Sequence, residues 1–522
     1  MNLSFLFDEL SRSELYPHPV EVITTIETHI SIVFLTGEFA YKLKKPVDFG
    51  FLDFTSLAER KRFCELEINL NRRTAPDLYL DVCPLYCKEG HLQFTPYGDP
   101  VEYVIKMAQF DPNLVLGRYL KDHTLSPSQI KLLTENIATF HVSAEKVSTD
   151  LAFGHPDNVI HPMLDNFPSL LKTFTHPEQQ YRLRQLADWT LFTQKTLFDA
   201  LLDRKENGDI RACHGDMHLD NITLLNEKPT LFDGIEFNEQ FRWIDVMNDL
   251  AFLMIDLENR QQLKLKRQLL SYYINLTGDY TGLNLLKFYQ VYRSMVRAKI
   301  TALRYHQLEK NSREADHYYA LALTYLKQAE DTAYELPEPK LILMQGVSGS
   351  GKSHYAQQIL GQIDAIIISS DIERKRLFGI SPLERVSKSE QKRLYSADMN
   401  HRTYQKLLTL AETTLASGYS VIIDATFLKE EHRRPFQQLA NKHTYDFYVF
   451  AINHHNYLTP IEDGLAERSQ TNDNPSDADI SVMRRQLKNH EPPQYEPEHM
   501  LTIVPKQELS DEILKNWLNL PL

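Results

Sequence analysis

Residues 340–353 read Lys-Leu-Ile-Leu-Met-Gln-Gly-Val-Ser-Gly-Ser-Gly-Lys-Ser, and they decide the fold of the second half of the chain. The apolar start predicts a buried strand, and residues 346–353 fit the pattern G-x-x-x-x-G-K-[ST] between that strand and a helix beginning at Lys352. In this context the backbone N–H groups of the loop and the helix N-terminus surround phosphate groups. The predicted phosphate-binding residues are Gly346, Ser348, Gly349, Ser350, Gly351, Lys352 and Ser353.

Three further apolar runs follow this loop, at residues 365–369, 421–424 and 445–452, with helical stretches between them. Strands that alternate with helices predict a parallel, doubly wound sheet, which is the P-loop type of α/β fold. Lys352 is expected to reach the β- and γ-phosphate oxygens of ATP, and Ser353 to bind Mg²⁺. Asp424 ends Val-Ile-Ile-Asp and is the predicted acidic residue that orients the metal shell.

Asp371 and Arg374 follow the second of the four strand-like runs with the spacing D-x-x-R. This spacing resembles that of phage polynucleotide 5′-kinase and related small P-loop kinases, and the zeta-toxin-like and chloramphenicol-phosphotransferase-like groups carry a similar strand-end Asp. The resemblance implies that Asp371 deprotonates the acceptor hydroxyl and that Arg374 contacts the substrate phosphate or the transition state. Alternatively, Asp371 only caps its helix. Arg468 resembles the lid arginine of such kinases, or is a solvated surface residue.

A second motif occupies residues 214–221, His-Gly-Asp-Met-His-Leu-Asp-Asn. It fits H-x-D-x-x-x-x-N, the pattern of the catalytic loop in protein-kinase-like folds. Phosphoryl transfer in such folds depends on positioning and charge neutralisation, so Asp216 is expected to accept or orient the proton of the attacking hydroxyl and Asn221 to hold Mg²⁺. Asp233 follows a strand-like run at the position where a second metal ligand is expected.

His-Gly-Asp-x-His-x-x-Asn with the downstream Asp233 resembles the aminoglycoside phosphotransferase and choline kinase family, over roughly residues 20–330. The resemblance implies Asp216 as catalytic base, Asn221 and Asp233 as Mg²⁺ ligands, and an acceptor pocket made by helices of the second lobe. His214 and His218 are expected to shape the loop rather than to react.

The segment before this motif carries the candidates for a nucleotide-holding ion pair. Residues 29–35 and 39–45 read as strands, residues 55–73 as a helix and residues 101–107 as another strand. A kinase-like fold pairs a strand lysine with a helix glutamate. The lysine candidates are Lys42, which is favoured, and Lys44, and the glutamate candidates are Glu65 and Glu67. Alternatively, one or both lysines cover a solvated strand face.

Two series of charged residues recur at helical spacing after the motif. Each series would lie on one helix face. The series could pair with each other across helices, form solvated faces, or contact substrate. They are Asp245, Asp249 and Asp256, and Arg293, Arg297 and Arg304.

Two prolines within Glu335-Leu-Pro-Glu-Pro-Lys340 disfavour a helix and suit a short, stiff linker. We therefore predict a protein-kinase-like, bilobal α+β domain at residues 1–335, a linker at 336–340 and a P-loop α/β domain at 341–522. The whole arrangement resembles an uncharacterised bacterial class in which two such domains are fused.

Bulk properties are those of a chain with two or three domains, since 522 residues exceed the ~250–300 at which one core stops growing. The net charge is −13, of which −11 falls before residue 340 and −2 after it. An acidic first part mildly favours a cationic or polar substrate, and the near-neutral second part lacks the basic footprint of duplex binders. The absence of a signal peptide, a membrane span or a CxxC pair in the sequence indicates a cytoplasmic protein.

The leading hypothesis is a bifunctional, ATP- and Mg²⁺-dependent phosphotransferase, in which each domain acts on hydroxyl groups of small molecules. One alternative is that the P-loop domain phosphorylates 5′-hydroxyl ends of nucleic acid, which the D-x-x-R spacing supports and the charge opposes. Another is a nucleotide-dependent regulator with a single active site. The sequence does not indicate the acceptors or an oligomeric state.

Overall fold

The computed structural model describes residues 2–48, 52–382, 384, 386–453, 461–462, 480–488, 491 and 499–521. The chain forms two compact units. Met1–Asp256 and Tyr292–Leu326 make up the first unit, and Leu257–Val291 and Lys327–Leu522 make up the second. The second unit thus includes a segment that precedes the Pro-containing linker, whereas the predicted domain limits assign that segment to the first domain. Those limits stay a prediction.

An antiparallel sheet of six strands begins the first unit. Its strand order is β1-β2-β3-β6-β4-β5, which places β3 between β2 and β6. The strands are Thr24–Glu27 (β1), Ser31–Leu35 (β2), Phe39–Lys44 (β3), Tyr79–Lys88 (β4), His91–Gln93 (β5) and Glu102–Ala108 (β6), and the helices of this part are Leu3–Leu10 (α1) and Leu57–Asn71 (α2).

Side chains of β3 alternate between two packed faces of this sheet. Tyr41 and Leu43 join a core with Leu6 and Leu10 of α1. Ala40 lies on the other face, in a core that includes residues of α2 and β6. Lys42 and Lys44 share this second face by the period of two, and α2 therefore determines which groups meet the two lysines.

Helices predominate from residue 116 to residue 334. The helices are Leu116–Tyr119 (α3), Pro127–Ser143 (α4), Pro156–Leu164 (α5), Phe167–Thr173 (α6), Pro177–Thr196 (α7), Phe198–Asn207 (α8), Glu239–Arg242 (α9), Val246–Asn259 (α10), Leu263–Thr277 (α11), Leu283–Gln307 (α12) and Arg313–Tyr334 (α13). The strands are Ile210–Ala212 (β7), Ile222–Leu225 (β8), Lys228–Leu231 (β9) and Trp243–Asp245 (β10).

The 214–221 motif lies between β7 and the β8–β9 hairpin, and Asp233 follows β9. A sheet-containing lobe with a lysine-bearing strand and a glutamate-bearing helix comes first, and a helical lobe with this loop and hairpin comes second. That order of elements is the protein-kinase-like fold expected from the sequence.

A parallel sheet of five strands forms the centre of the second unit, in the order β12-β13-β11-β14-β15. Its strands are Lys340–Gln345 (β11), Ala365–Ser369 (β12), Ser420–Asp424 (β13), Asp446–Ile452 (β14) and His499–Ile503 (β15). Its helices after the linker are Lys352–Leu360 (α14), Ser370–Phe378 (α15), Lys388–Leu394 (α16), Ala397–Ala416 (α17), Glu430–His443 (α18), Ile480–Lys488 (α19) and Asp511–Trp517 (α20).

Both faces of this parallel sheet are covered. The consecutive residues Leu341, Ile342, Leu343 and Met344 of β11 are all fully buried, although they point alternately to opposite faces. The predicted doubly wound, parallel α/β fold is confirmed, and its strand β11 and helix α14 begin where the sequence pattern placed them. Within the described residues, none of the helices combines the length and the apolar character needed to cross a bilayer.

Candidate active sites

Two buried carboxylates of α10 hold the backbone of the 214–221 loop. Asp249 accepts hydrogen bonds from the backbone N–H groups of His214 and Gly215, each at 2.9 Å. Asp256 accepts the N–H of Leu219 at 2.9 Å. These acids belong to the acidic series that the sequence revealed, and both bind backbone N–H groups of the loop.

Gly215 allows the turn that this loop makes. Its φ is +84°, and a Cβ atom built there would lie 2.7 Å from the carbonyl oxygen of Phe241. Arg293 of α12 donates to the Gly215 carbonyl oxygen at 3.1 Å. Neighbouring side chains therefore bind both N–H groups and a carbonyl oxygen of this loop. These hydrogen bonds position the side chain of Asp216.

Asp216 has the surroundings of an ionised carboxylate. Its Oδ2 accepts a hydrogen bond from Asn221 Nδ2 at 3.0 Å and lies 3.3 Å from His218 Nε2. Burial raises the pKa of Asp216, but the charge and hydrogen bond of His218 outweigh burial and hold the pKa well below its usual range. A carboxylate with a lowered pKa is a weak base. Asp216 therefore suits the role of orienting an acceptor hydroxyl in a loose transition state.

Lys42 and Lys44 converge on one glutamate of α2. Lys42 Nζ lies 2.8 Å from Glu67 Oε1 and 2.7 Å from Asp233 Oδ1, and Lys44 Nζ lies 2.6 Å from Glu67 Oε2. Lys44 also forms an ion pair with Glu236. Burial lowers the pKa of Lys42, but Asp233 and Glu67 raise it well above its usual value, so Lys42 remains charged.

Glu67, not Glu65, is the helix partner of the two lysines. The side chain of Glu65 is 53% exposed and lies 3.8 Å from Lys61, which excludes it from the cluster. Residues two apart on a helix point to well-separated faces, so only one of them can face β3. Burial raises the pKa of Glu67, but the charges of Lys42 and Lys44 lower it to about 2.

Asp233 connects this cluster to the region of the catalytic loop. It adopts a φ of +59°, and its N–H donates to the hydroxyl of Tyr79 at 3.1 Å. Its side chain is 45% exposed. Asn221 donates through Nδ2 to Asp216 and also carries an amide oxygen. Carboxylate and amide oxygens are donors that suit Mg²⁺, so the two residues fit the predicted metal ligands.

The glycine-rich loop of the second unit has the backbone conformation that its motif requires. Gly346, Gly349 and Gly351 have φ values of +153°, +85° and +100°. A Cβ atom on Gly346 would lie 2.8 Å from Ser350 Oγ. Ser350 Oγ is buried and has no hydrogen-bond partner among the described residues, which suits an oxygen of a bound phosphate.

Ser353 and Asp424 meet as the two motifs predict. Ser353 Oγ donates to Asp424 Oδ2 at 2.6 Å, an oxygen-only pair that fits a Mg²⁺ shell. Lys352 is buried, and its Nζ donates to the carbonyl oxygen of Val347 at 2.9 Å. Ser348 is held by a residue that the sequence did not reveal, Gln486 of α19, which accepts the Ser348 N–H at 2.8 Å and lies 3.1 Å from Ser348 Oγ.

Asp371 and Arg374 form an ion pair near the N-terminus of α15. Arg374 Nη1 lies 2.6 Å from Asp371 Oδ1, and Tyr395 OH donates to the same oxygen at 3.3 Å. Arg374 Nη2 donates to Asn400 Oδ1 at 3.1 Å. The N-cap of α15 is Ser369, so Asp371 is not the capping residue that the alternative interpretation required.

One cavity of about 390 Å³ brings most of the second set of predicted residues together. Arg468 lies outside the described residues. The predicted residues that line the cavity are Ser348, Gly349, Gly351, Lys352, Ser353, Asp371, Arg374 and Asp424.

Enzymes that transfer phosphoryl groups include proteins with a protein-kinase-like fold and a paired lysine and glutamate. They also include proteins with a P-loop fold and a paired serine and aspartate. Each unit therefore brings together groups of the kind that phosphoryl transfer requires. The family model described as AAA domain matches residues 341–493, which begin in β11 and include the glycine-rich loop. This match confirms the predicted resemblance of the second half to P-loop proteins.

The chain is similar to uncharacterized proteins of Mycobacterium tuberculosis and Mycobacterium bovis. Each is 29% identical over 430 residues, which cover 81% of this chain and 82% of the relative. A match of that length in a chain of 522 residues must span both motif regions.

Solved structures similar to the two halves are kinases by name. A choline/ethanolamine kinase family protein from Mesorhizobium loti is 11% identical, with a TM-score of 0.38, and the match covers 63% of this chain and 99% of that protein. A gluconokinase from Sinorhizobium meliloti is 20% identical, with a TM-score of 0.23, and the match covers 35% of this chain and 92% of that protein.

Proposed function

We propose that the chain is a bifunctional phosphotransferase, in which both domains transfer the γ-phosphate of ATP to hydroxyl groups of small molecules. The observation that carries the proposal is that each unit has its own complete set of groups for the reaction. The first unit joins Lys42 to Glu67 and Asp233, and the second joins Ser353 to Asp424. A protein that only sensed nucleotide would not need both sets.

In the first unit, the roles follow from the contacts. Lys42, held by Glu67, neutralises phosphate oxygens of ATP, and Asp216 orients the acceptor hydroxyl. Asn221 and Asp233 would hold Mg²⁺, which when bound neutralises charge on the transferred phosphoryl group. The acidic character of this half favours a cationic or polar acceptor, and an aminoglycoside is one member of that broad class.

In the second unit, the glycine-rich loop binds the phosphates, and Lys352 approaches the β- and γ-phosphate oxygens. Ser353 and Asp424 would hold Mg²⁺. Asp371 accepts the proton of the acceptor hydroxyl, and Arg374 stabilises the charge that develops on the phosphoryl group. We place both activities in the cytoplasm, because ATP is the donor and the four cysteines are free.

Two alternative functions would give experimental results that differ from those of this proposal. A 5′-hydroxyl kinase acting on nucleic acid would bind single-stranded oligonucleotides with a steep salt dependence, which the net charge of −2 after residue 339 opposes. A regulator with one active site would turn over ATP at only one of the two units.

The proposal is tested by incubating γ-labelled ATP and Mg²⁺ with a small-metabolite extract. The wild type is compared with Asp216→Ala and Lys352→Ala, and with the exposed control substitutions Asp188→Ala and Lys442→Ala. We expect each active-site substitution to remove a different labelled product and the controls to remove none. Loss of the same product in both variants, or loss only with Lys352→Ala, contradicts two independent kinases.

A further inference from the structure

Helix α11 covers the free edge of the parallel sheet in the second unit, although it precedes the linker in the sequence. Among the described residues, β12 is an edge strand that pairs with β13 on one side only. On its other side, the backbone N–H of Ile367 donates to Ser271 Oγ at 2.9 Å, and Asn275 Nδ2 donates to the Ile367 carbonyl oxygen at 2.7 Å. Side chains of α11 thus take the place of a sixth strand.

Further contacts attach the same segment around β12. Arg267 Nε lies 2.7 Å from Asp364 Oδ1, and its Nη1 donates to the Gly361 carbonyl oxygen at 2.7 Å. Tyr280 OH donates at 2.9 Å to the buried Glu373 of α15, the helix that carries Asp371 and Arg374. The segment is therefore fixed against the elements that present the candidate reacting groups.

Asn275 also lines the 390 Å³ cavity, together with Ser271 and Tyr272 of the same helix. It is 5% exposed, and its Nδ2 donates to two carbonyl oxygens, those of Ser271 at 2.8 Å and Ile367 at 2.7 Å. These two bonds fix the orientation of the amide. Its Oδ1 is left without a hydrogen-bond partner among the described residues.

A buried acceptor without a partner is unfavourable unless a ligand or water supplies a donor. Because Asn275 Oδ1 accepts only, a hydroxyl or ammonium group suits it, whereas a phosphate or carboxylate oxygen would face it acceptor to acceptor. The same cavity is also lined by Lys352, Asp371 and Arg374, the residues proposed to act on the transferred group.

We infer that α11 is a wall of the acceptor pocket of the P-loop kinase and that Asn275 determines its specificity. The acceptor carries a second donor group beside the hydroxyl that is phosphorylated, as polyols and amino alcohols do. This inference rests on the proposed kinase function of the second unit. It also means that residues 341–522 alone lack part of their own substrate pocket.

The first experiment measures transfer from ATP by the full chain to polyols and amino alcohols, and to mono-alcohols of the same size. Only transfer that disappears in Lys352→Ala is counted. We expect wild-type kcat/KM to be at least about tenfold higher for acceptors with a second donor, since a site built to hydrogen-bond a hydroxyl discriminates against its absence. Equal values for the two classes would overturn the inference.

The second experiment compares Asn275→Leu with Arg267→Met. Both remove hydrogen bonds between α11 and the sheet region, but Arg267 does not line the cavity. We expect Asn275→Leu to raise the acceptor KM about tenfold and to abolish the discrimination, with the KM for ATP unchanged, whereas Arg267→Met retains wild-type values. An equal effect of both substitutions, or retained discrimination in Asn275→Leu, refutes the specificity role.

The two experiments separate this inference from the function on which it depends. If no probe and no metabolite extract gives a Lys352-dependent product in the wild type, the proposed kinase function of this unit fails and the inference falls with it. If such a product forms but does not depend on Asn275, only the inference fails. Should Asn275→Leu not fold, as judged by its melting curve, the wild-type comparison of acceptors decides.

Discussion

Glu67 is the residue whose replacement tests the first site most sharply, because both lysines depend on it. Its side chain is fully buried, and its carboxylate oxygens accept hydrogen bonds from Lys42 Nζ at 2.8 Å and Lys44 Nζ at 2.6 Å. Burial raises the pKa of Glu67, but the charges of Lys42 and Lys44 lower it. Removing one partner of a buried ion pair costs about 3 kcal/mol before any compensation, because the remaining charge is left buried and unpaired. Glu67→Gln keeps the shape and removes the charge of the carboxylate, so we expect a loss of up to about 3 kcal/mol.

Part of this loss is offset within the cluster. Burial raises the pKa of Glu236, and the charge of Glu67 raises it further. When Glu67 becomes neutral, Glu236 ionises more readily and supplies compensating charge to Lys44. The value of about 3 kcal/mol is therefore the upper end of the expected effect, and the ion pair of Lys42 with Asp233 remains in place.

The pH dependence has a definite sign. Since the pKa of Glu67 is lower in the folded state than in the unfolded chain, its contribution is fully present above about pH 4.3 and is lost as the pH falls towards 2. The stability difference between wild type and Glu67→Gln should therefore be constant near neutral pH and shrink below about pH 4.3.

The assay is thermal unfolding at pH 7 and at a series of lower pH values, with Glu65→Gln as the matched control on the same helix. A loss of about 3 kcal/mol corresponds to a fall in Tm of roughly 6–12 °C for a unit of this size. Glu65 is 53% exposed, so its substitution should change stability by less than about 0.5 kcal/mol. If the two variants unfold alike, the buried ion-pair cluster does not stabilise the first unit.

Two further substitutions test the loops. Asp249→Ala leaves two buried N–H groups of the 214–221 loop without the carboxylate, which costs about 1–3 kcal/mol for each group. We expect this variant to lose the Asp216-dependent product and to retain the Lys352-dependent product. An unchanged Asp216-dependent product would contradict the positioning role of Asp249. Gly346→Ala places a Cβ atom 2.8 Å from Ser350 Oγ and should weaken binding of a fluorescent ATP analogue to the second unit more than tenfold. Gly379→Ala, which has a φ of +83° and open space, is its control and should keep wild-type affinity.

The fold of the second unit could be predicted because the residues that determine it lie close together in the sequence. The apolar run of β11, the glycines and Lys352 lie within fourteen residues, and each has one physical requirement that the pattern states directly. The pairing of Ser353 with Asp424 also followed, because carboxyl ends of parallel strands meet at one edge of the sheet.

The lysine cluster was predictable only as a set of candidates. Strand periodicity places Lys42 and Lys44 on one face, but the choice between Glu65 and Glu67 depends on the rotation of α2 about its axis. That rotation is set by packing of Cys64 and Ile68 in the core, which the sequence alone does not determine.

Non-local contacts account for what sequence reasoning missed. The helical spacing of Asp249 and Asp256 was visible, but both bind backbone N–H groups of a loop that is distant in sequence, and no side-chain pattern identifies such contacts. Gln486 and Asn275 lie far from the glycine-rich loop in sequence and carry no motif. Their roles depend on how α19 and α11 pack in the second unit.

The number of nucleotides bound per chain tests the central claim most directly. Equilibrium dialysis with a non-hydrolysable ATP analogue and Mg²⁺ should give two per wild-type chain, because the proposed function assigns phosphate-binding groups to each unit. Lys352→Ala should reduce the number to one. A single nucleotide per wild-type chain, or none in Lys352→Ala, would contradict two independent kinase sites.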